Sequence, residues 1–411
     1  MSTLLSDLRE VPPTAGLPPR LRDLLPARTP SLAVQAAQFI GAEDVQVECS
    51  GTACLVVALT ALKRRSPRTS VIVPAYTCPL VAIAVAHCGL TLRLCDLVPN
   101  GIDMDPDALA KLCDDDTLAV MPTHLAGRVA DVGTAIECAQ RVGAWVIEDA
   151  AQALGARIGG AAAGTLGDIG FFSLAVGKGL TTYEGGLLVA RDARLRTELR
   201  RCSDDIVPFS ASWEFKRTLQ LLGYYAFYRP SGLPLVYGIP RRRALRHGDA
   251  IAAVGDDFPL SVPLHRLGAW RQAIGARAFS RLSDLQSRLA ERARVRCARL
   301  ERIPEINVIR DGGETRGTWP FLLALAPSRQ ARDAALDRLW MSNLGVNRLF
   351  VRALPDYEYL AAIVPDADVP NARDFAARTL TISNSPWLDD EDFEKVAVAL
   401  ESSLSQTYPR I

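Results

Sequence analysis

The chain has 411 residues, 49% of them hydrophobic and 23% charged, with a formal net charge of +1. That length buries a large core and predicts two domains, and the charge balance excludes a nucleic-acid binder. Nine scattered cysteines without a CxxC pair and four dispersed histidines exclude a disulfide frame or a metal cluster, so reduced thiols, no metal and a cytoplasmic protein are expected. No basic start followed by an apolar run is visible at the N-terminus, so no signal peptide is expected.

Residues Met1 to Pro30 are rich in proline, arginine and leucine and predict an irregular arm over the surface. Ser31 to Ile40 reads as a helix capped by Ser31, and Val45 to Glu48 as a short extended piece. In CSGTACLVVALTAL, from Cys49, the residues Ser50, Gly51 and Thr52 open an apolar helix. Free backbone N–H groups at such a start attract a phosphate, and glycine permits close approach; an ordinary capped helix is the competing reading. Val71 begins a strand that turns at Pro74 into a helix reaching His87. Strands follow at Leu90 to Leu94 and Leu118 to Met121, with a helix at Asp105 to Cys113 between them. A helix over Asp131 to Val142 then leads into the apolar run Trp145 to Ile147. The alternation predicts a mainly parallel, helix-flanked sheet.

Glu148 and Asp149 end that last strand, where open α/β sheets bind ligands, and a buried acid there calls for a cation. A second apolar run, Ile169 to Phe172, ends in Ser173, and five residues later Lys178 stands among Ala, Val, Gly and Leu. The chain has five lysines against forty-two arginines, so a lysine in these surroundings suggests an amine needed for chemistry. Taken singly, Asp149 is a helix cap, Ser173 a turn residue and Lys178 a loop charge. Together with Gln152 they supply what pyridoxal phosphate requires: an amine for a Schiff base, an acid for the pyridine nitrogen, an amide for the ring oxygen and a hydroxyl for the phosphate.

The strand Leu187 to Ala190 and the helix Asp192 to Cys202 follow. The segment from about 203 to 259 is unusually apolar and aromatic and includes LQLLGYYAFYRPSGLPLVYGIPRRRALRH from Leu219. Arg229, Pro230 and Pro234 argue against a membrane span. An arm on a partner subunit, a lid over the substrate, and peripheral membrane contact through residues 219–243 compete; the interface is favoured over the membrane. From Val262 a long helical pattern links to a strand at Phe321 to Leu325, a helix at Arg329 to Asn343, a strand at Leu380 to Ile382 and a helix from Asp389, the makings of a small α+β domain.

The motifs VIVPAYT at Val71, MPTHLAG at Met121, VIEDAAQALGA at Val146, GDIGFFSL at Gly167, the Lys178 loop and EGG at Glu184 resemble the DegT/DnrJ/EryC1/StrS family of pyridoxal-phosphate aminotransferases. The resemblance implies an aspartate-aminotransferase-like α/β fold (fold type I): a large, mainly parallel sheet domain over 31–275, with an atypical insertion at 203–259, and a small α+β domain over 276–411. It implies Lys178 and Asp149 as catalytic residues, with Gly51, Thr52, Gln152 and Ser173 binding the cofactor. An aromatic residue commonly follows the motif threonine and stacks on the pyridine ring; here Cys78 stands there, and Tyr76 is the candidate replacement. His124 and Glu184 are candidates for lining the substrate pocket. An asparagine usually precedes the arginine corresponding to Arg266 by two residues and reaches the neighbouring subunit's phosphate; this chain has Leu264.

Glutamate or glutamine is the implied donor, a nucleotide-linked keto sugar the implied acceptor, and a homodimer the implied assembly. A cyclitol or lipid-linked ketone is the alternative acceptor. A non-catalytic homologue, suggested by Cys78 and Leu264, is the alternative of another class.

Overall fold

The computed structural model describes residues 9–407. Its larger sheet has seven strands: β1 (Gln46–Glu48), β2 (Ser70–Pro74), β3 (Thr91–Cys95), β4 (Thr117–Val120), β5 (Trp145–Asp149), β6 (Ile169–Ser173) and β7 (Gly186–Ala190). They lie in the order β1-β7-β6-β5-β4-β2-β3. All pairs from β6 to β3 are parallel, while β7 runs antiparallel to β6 and β1 antiparallel to β7. Strands such as β2 and β7 are buried throughout and, apart from Ser70, apolar, because helices cover both faces and leave no polar side to alternate with.

The helices between strands begin where short polar side chains satisfy free N–H groups. Ser31 caps α1 (Leu32–Ile40), Ser50 caps α2 (Gly51–Arg65), and Pro79 opens α3 (Pro79–His87). Asp105 caps α4 (Pro106–Leu112), Asp131 caps α5 (Val132–Val142) and Asp192 caps α6 (Ala193–Ile206). In α2 the apolar run Cys54 to Leu59 is almost wholly removed from solvent, which fixes its N-terminus against the strand ends.

A second, antiparallel sheet of four strands is built on β8 (Phe321–Leu325) and β9 (Thr379–Ser383), flanked by the short pieces Asn307–Val308 and Val346–Asn347.

Two expectations are corrected. The helical pattern from Val262 is two helices, Ala269–Phe279 and Leu282–Leu300, preceded by an irregular stretch. The break falls at Arg281, whose guanidinium is drawn to the buried Asp23 and the Pro18 carbonyl. The N-terminal arm lies on the surface only in part: its first eight residues fall outside the described residues, residues 25–30 are exposed, and residues 10–17 turn inward. Glu10, Val11 and Ala15 are buried, and the backbone N–H groups of Ala15 and Leu17 donate to Pro320 and Gly179. Prolines leave residues 10–17 few N–H groups of their own to satisfy, so this stretch can pass through the interior without secondary structure, and a short helix, Leu21–Leu24, follows it.

Candidate active site

Asp149 closes β5 with 4% of its surface exposed. Its carboxylate accepts one hydrogen bond, from the Ala151 N–H at 3.0 Å, and among the described residues no cation lies within ion-pair distance. Burial raises its pKa, against the opposing pull of that N–H and of the Lys178 charge. Lys178 lines the same cavity, of about 570 Å³, and its amine is pushed the other way: desolvation lowers its pKa, opposed in part by Asp149. A smaller cavity of about 170 Å³ meets the first at Lys178, Gln152 and Ser173.

The floor of the larger cavity is the start of α2. Ser50 Oγ accepts from the Ala53 N–H at 3.0 Å, leaving the N–H groups of Gly51 and Thr52 without an intrahelical acceptor. A Cβ on Gly51 would stand 3.2 Å from the Ser173 Cβ, tight enough that the helix start and the end of β6 would have to move apart by a few tenths of an ångström. The EGG motif has a packing reason. A Cβ on Gly186 would overlap the Ser50 carbonyl, and one on Gly185 would overlap the Thr182 hydroxyl. Gly186 lets β7 press directly beneath the helix start, and Gly185 lets the chain entering β7 close on the Thr182 turn.

Gln152 Oε1 accepts from the Ala126 N–H at 2.8 Å, which turns the amide nitrogen toward the cavity as a donor. Beside it, His124 lines the cavity with both ring nitrogens engaged. Nδ1 accepts from the Ala130 N–H at 3.0 Å, so the ring is the neutral tautomer with its proton on Nε2, donated to Glu148 at 3.0 Å. A proton-transfer role is therefore closed to it. Glu148, fully buried, also accepts from the backbone N–H groups of Gly164, Leu166 and Gly167. The sequence reading passed over Glu148 as a strand end. Its signal was an acid in a buried strand followed by a glycine-rich turn with N–H groups to satisfy.

Cys78 lines the cavity, and burial pushes its thiol up to about 12, making it a neutral wall. Tyr76 does not reach the site. It is wholly buried, its hydroxyl donating to the Phe350 carbonyl and accepting from the Phe350 N–H, both at 3.1 Å. Phe350 and Phe375 hold its ring edge-on, so the expectation that it stacks on a cofactor is overturned. One residue, Thr77, separates Tyr76 from Cys78, and the turn after β2 sends them to different surroundings.

Glu184 lines the cavity, but its carboxylate pairs with Arg217 and meets His265 Nε2 at 3.4 Å. Burial would raise its pKa, yet His265 and Arg217 outweigh burial and hold it below the usual carboxylate value. Leu264 is half-buried and packs on the core. Sequence reasoning missed the first of two further walls and held the second, in the 203–259 segment, only as one of three competing readings. Pro13, Thr14 and Ala15 line the smaller cavity beside Lys178, and Val254, Gly255 and Phe258 line the larger one.

The family model of the DegT/DnrJ/EryC1/StrS aminotransferases matches residues 27–216 and 264–401. The chain belongs to this family. The unmatched stretch between those matches falls largely within the segment whose composition is atypical. GDP-perosamine synthase of Caulobacter vibrioides is 37% identical over 164 residues, 40% of this chain and 44% of that protein. The chain thus spans less than half the length of that relative. The spore coat polysaccharide biosynthesis protein SpsC of Bacillus subtilis is 27% identical over 374 residues, 89% of this chain and 86% of that one. The putative sugar aminotransferase Spr1654 from Streptococcus pneumoniae, in its PLP form, superposes with a TM-score of 0.72 at 17% identity, covering 97% of this chain and 99% of that one. The shared architecture is that of the fold type I pyridoxal-phosphate enzymes.

The residues present fit that cofactor. Asp149 is a buried carboxylate lacking a cation, Gly51 and Thr52 offer free N–H groups to an anion, and the Gln152 amide presents a donor between them.

Proposed function

We propose that the protein is a pyridoxal-phosphate-dependent aminotransferase that moves an amino group from glutamate or glutamine to a keto sugar, nucleotide-linked, as a cytoplasmic homodimer. The observation that carries this reading is a single cavity lined by Lys178, by the cation-free carboxylate of Asp149 and by the open helix start at Gly51 and Thr52. Family membership and the similarity to GDP-perosamine synthase support the sugar acceptor.

In this reading Gly51, Thr52 and Ser173 hold the phosphate, Asp149 balances the positive charge of a protonated pyridine nitrogen, and Gln152 donates to the ring oxygen. Bound there, the cofactor supplies an electron sink conjugated to the nitrogen being transferred. Lys178 takes the proton from the donor's α-carbon and, in the second half-reaction, delivers one to the carbon that was the acceptor's ketone. Its lowered pKa suits that work, because a fully protonated amine accepts no proton. His124 and Glu148 tie the loop after Met121, which borders the cavity, to the Gly164 turn behind it.

One observation favours a second acceptor class, a cyclitol or another ketone without a diphosphate. Lysine and arginine are represented among the residues lining the larger cavity by Lys178 and Arg217 alone, and Arg217 is already paired with Glu184. A nucleotide diphosphate would need further cations, from Arg348 of the adjoining smaller cavity or from a second copy.

The test is the absorption spectrum of the purified protein with pyridoxal phosphate, before and after glutamate, beside Lys178→Ala. A violet-region band that requires Lys178 and bleaches with glutamate supports the aminotransferase. A band that persists in glutamate removes that donor, and no band at all sinks the reading. Turnover on keto-sugar nucleotides against cyclitol ketones then separates the two acceptor classes.

A further inference from the structure

Between Val207 and His247 the chain carries seven lysines and arginines and one acid, Glu214. That acid is paired with Arg271. Three of the seven cations are also spoken for: Arg217 by Glu184, and Arg241 and Arg242 by the buried Glu10. Lys216, Arg229, Arg243 and Arg246 are exposed and make no ion pair among the described residues.

The helix Ala211–Phe227 is apolar on two sides. Its inner side, with Leu221, Tyr224 and Tyr228, packs on Ile274 and Leu233 of the same chain. Its outer side repeats Phe215, Leu219 and Leu222 at helical spacing, exposed by 66%, 52% and 40%. Leu235, Val236 and Ile239 are exposed in the next turn and at the start of the helix Ile239–Arg246. None of this is an arm reaching outward, because the inner side and the Glu10 pairs fasten the segment to its own subunit.

We propose that residues 211–246 form a surface that docks on an anionic lipid bilayer. Exposed apolar stripes flanked by unpaired cations match the two layers of such an interface, acyl chains beneath and phosphate headgroups above. No helix among the described residues is long and apolar enough to cross a membrane, so the contact is peripheral. A second copy seated symmetrically on the same patch would set unpaired arginines against arginines with no exposed acid in the segment to receive them. The segment also lies outside the family match over most of its length, and its Arg217 lines the larger cavity, so the surface adjoins the site. The inference does not depend on which reaction that site performs.

Sedimentation of the full-length protein with phosphatidylcholine vesicles, with and without phosphatidylglycerol, tests it. Binding is expected with phosphatidylglycerol at low salt, falling as salt rises. Arg243→Glu with Arg246→Glu, and separately Leu219→Ser with Leu222→Ser, should each weaken it about tenfold or more while leaving the thermal melt of these exposed-site variants unchanged. No sedimentation with either vesicle overturns the proposal. So does a drop in oligomeric mass by light scattering in the serine pair, since a second copy would then be what covers the patch.

Discussion

His124 and Glu148 form a fully buried pair in which the Nε2–H of a neutral imidazole donates to a carboxylate at 3.0 Å while three backbone N–H groups share the remaining lone pairs. The pair ties the loop after β4, which borders the cavity that holds Asp149, to the turn before β6. Glu148→Gln would place an amide NH2 against donors on at least one side. We expect a loss of about 3 kcal/mol in urea unfolding and weaker cofactor retention. Unchanged stability would show that the four bonds do not need an acceptor-only side chain.

Gly186→Ala touches no ligand group, yet its methyl would overlap the Ser50 carbonyl at the N-cap of α2. The helix start must shift to make room. A destabilisation of about 1–3 kcal/mol is expected, together with a cofactor dissociation constant raised more than in a stability-matched core variant. Titration of pyridoxal phosphate into both variants measures it; equal affinities would separate this glycine from the anion cradle.

Asp256 lies in the segment that walls the larger cavity and accepts from the Tyr357 hydroxyl and the Val351 N–H, both at 2.8 Å and both on Oδ2. Burial outweighs those bonds and raises its pKa from 3.8 to about 6. The folded state therefore binds this proton more tightly than the unfolded chain. Its contribution to stability is present below pH 3.8 and is lost as pH rises through 6, a change of about 3 kcal/mol. Asn in its place keeps one oxygen for both donors without the charge. Asp256→Asn should accordingly be more stable than the parent at pH 7.5 and lose that gain at pH 4, as read from urea midpoints across the range.

Tyr76→Phe separates a packing role from a cofactor role. The hydroxyl both donates to and accepts from Phe350, so its removal should cost about 1–3 kcal/mol of stability. The absorption spectrum of the bound cofactor should not move. A shifted band would restore Tyr76 to the site.

How much of this was legible beforehand differs by residue. The strand ends carrying Asp149 and Ser173, the helix opening at Gly51 and the odd lysine at 178 stood out because each is a polar group in a run that is otherwise core. All line one cavity. Tyr76 was misread because an aromatic residue beside a strand end looks the same whether it turns toward a ligand or into a core, and Phe350 and Phe375, which decide the matter, are some three hundred residues away. Similarly, Pro13 to Ala15 looked like a surface arm because nothing local tells a proline-rich segment which sheets it will pass between.

Local chemistry thus determined the alternation of strands and helices, their caps and the buried polar set, since periodicity and side-chain hydrogen bonding act over a few residues. Only the tertiary structure decided that Glu184 would pair with Arg217 and meet His265, that Glu10 would fasten Arg241 and Arg242, and that the N-terminal segment would stand beside Lys178. Those outcomes depend on charges brought together across tens to hundreds of residues. Their energies arise from burial in a shared low-dielectric interior, a property of the packed chain that no short stretch of it possesses.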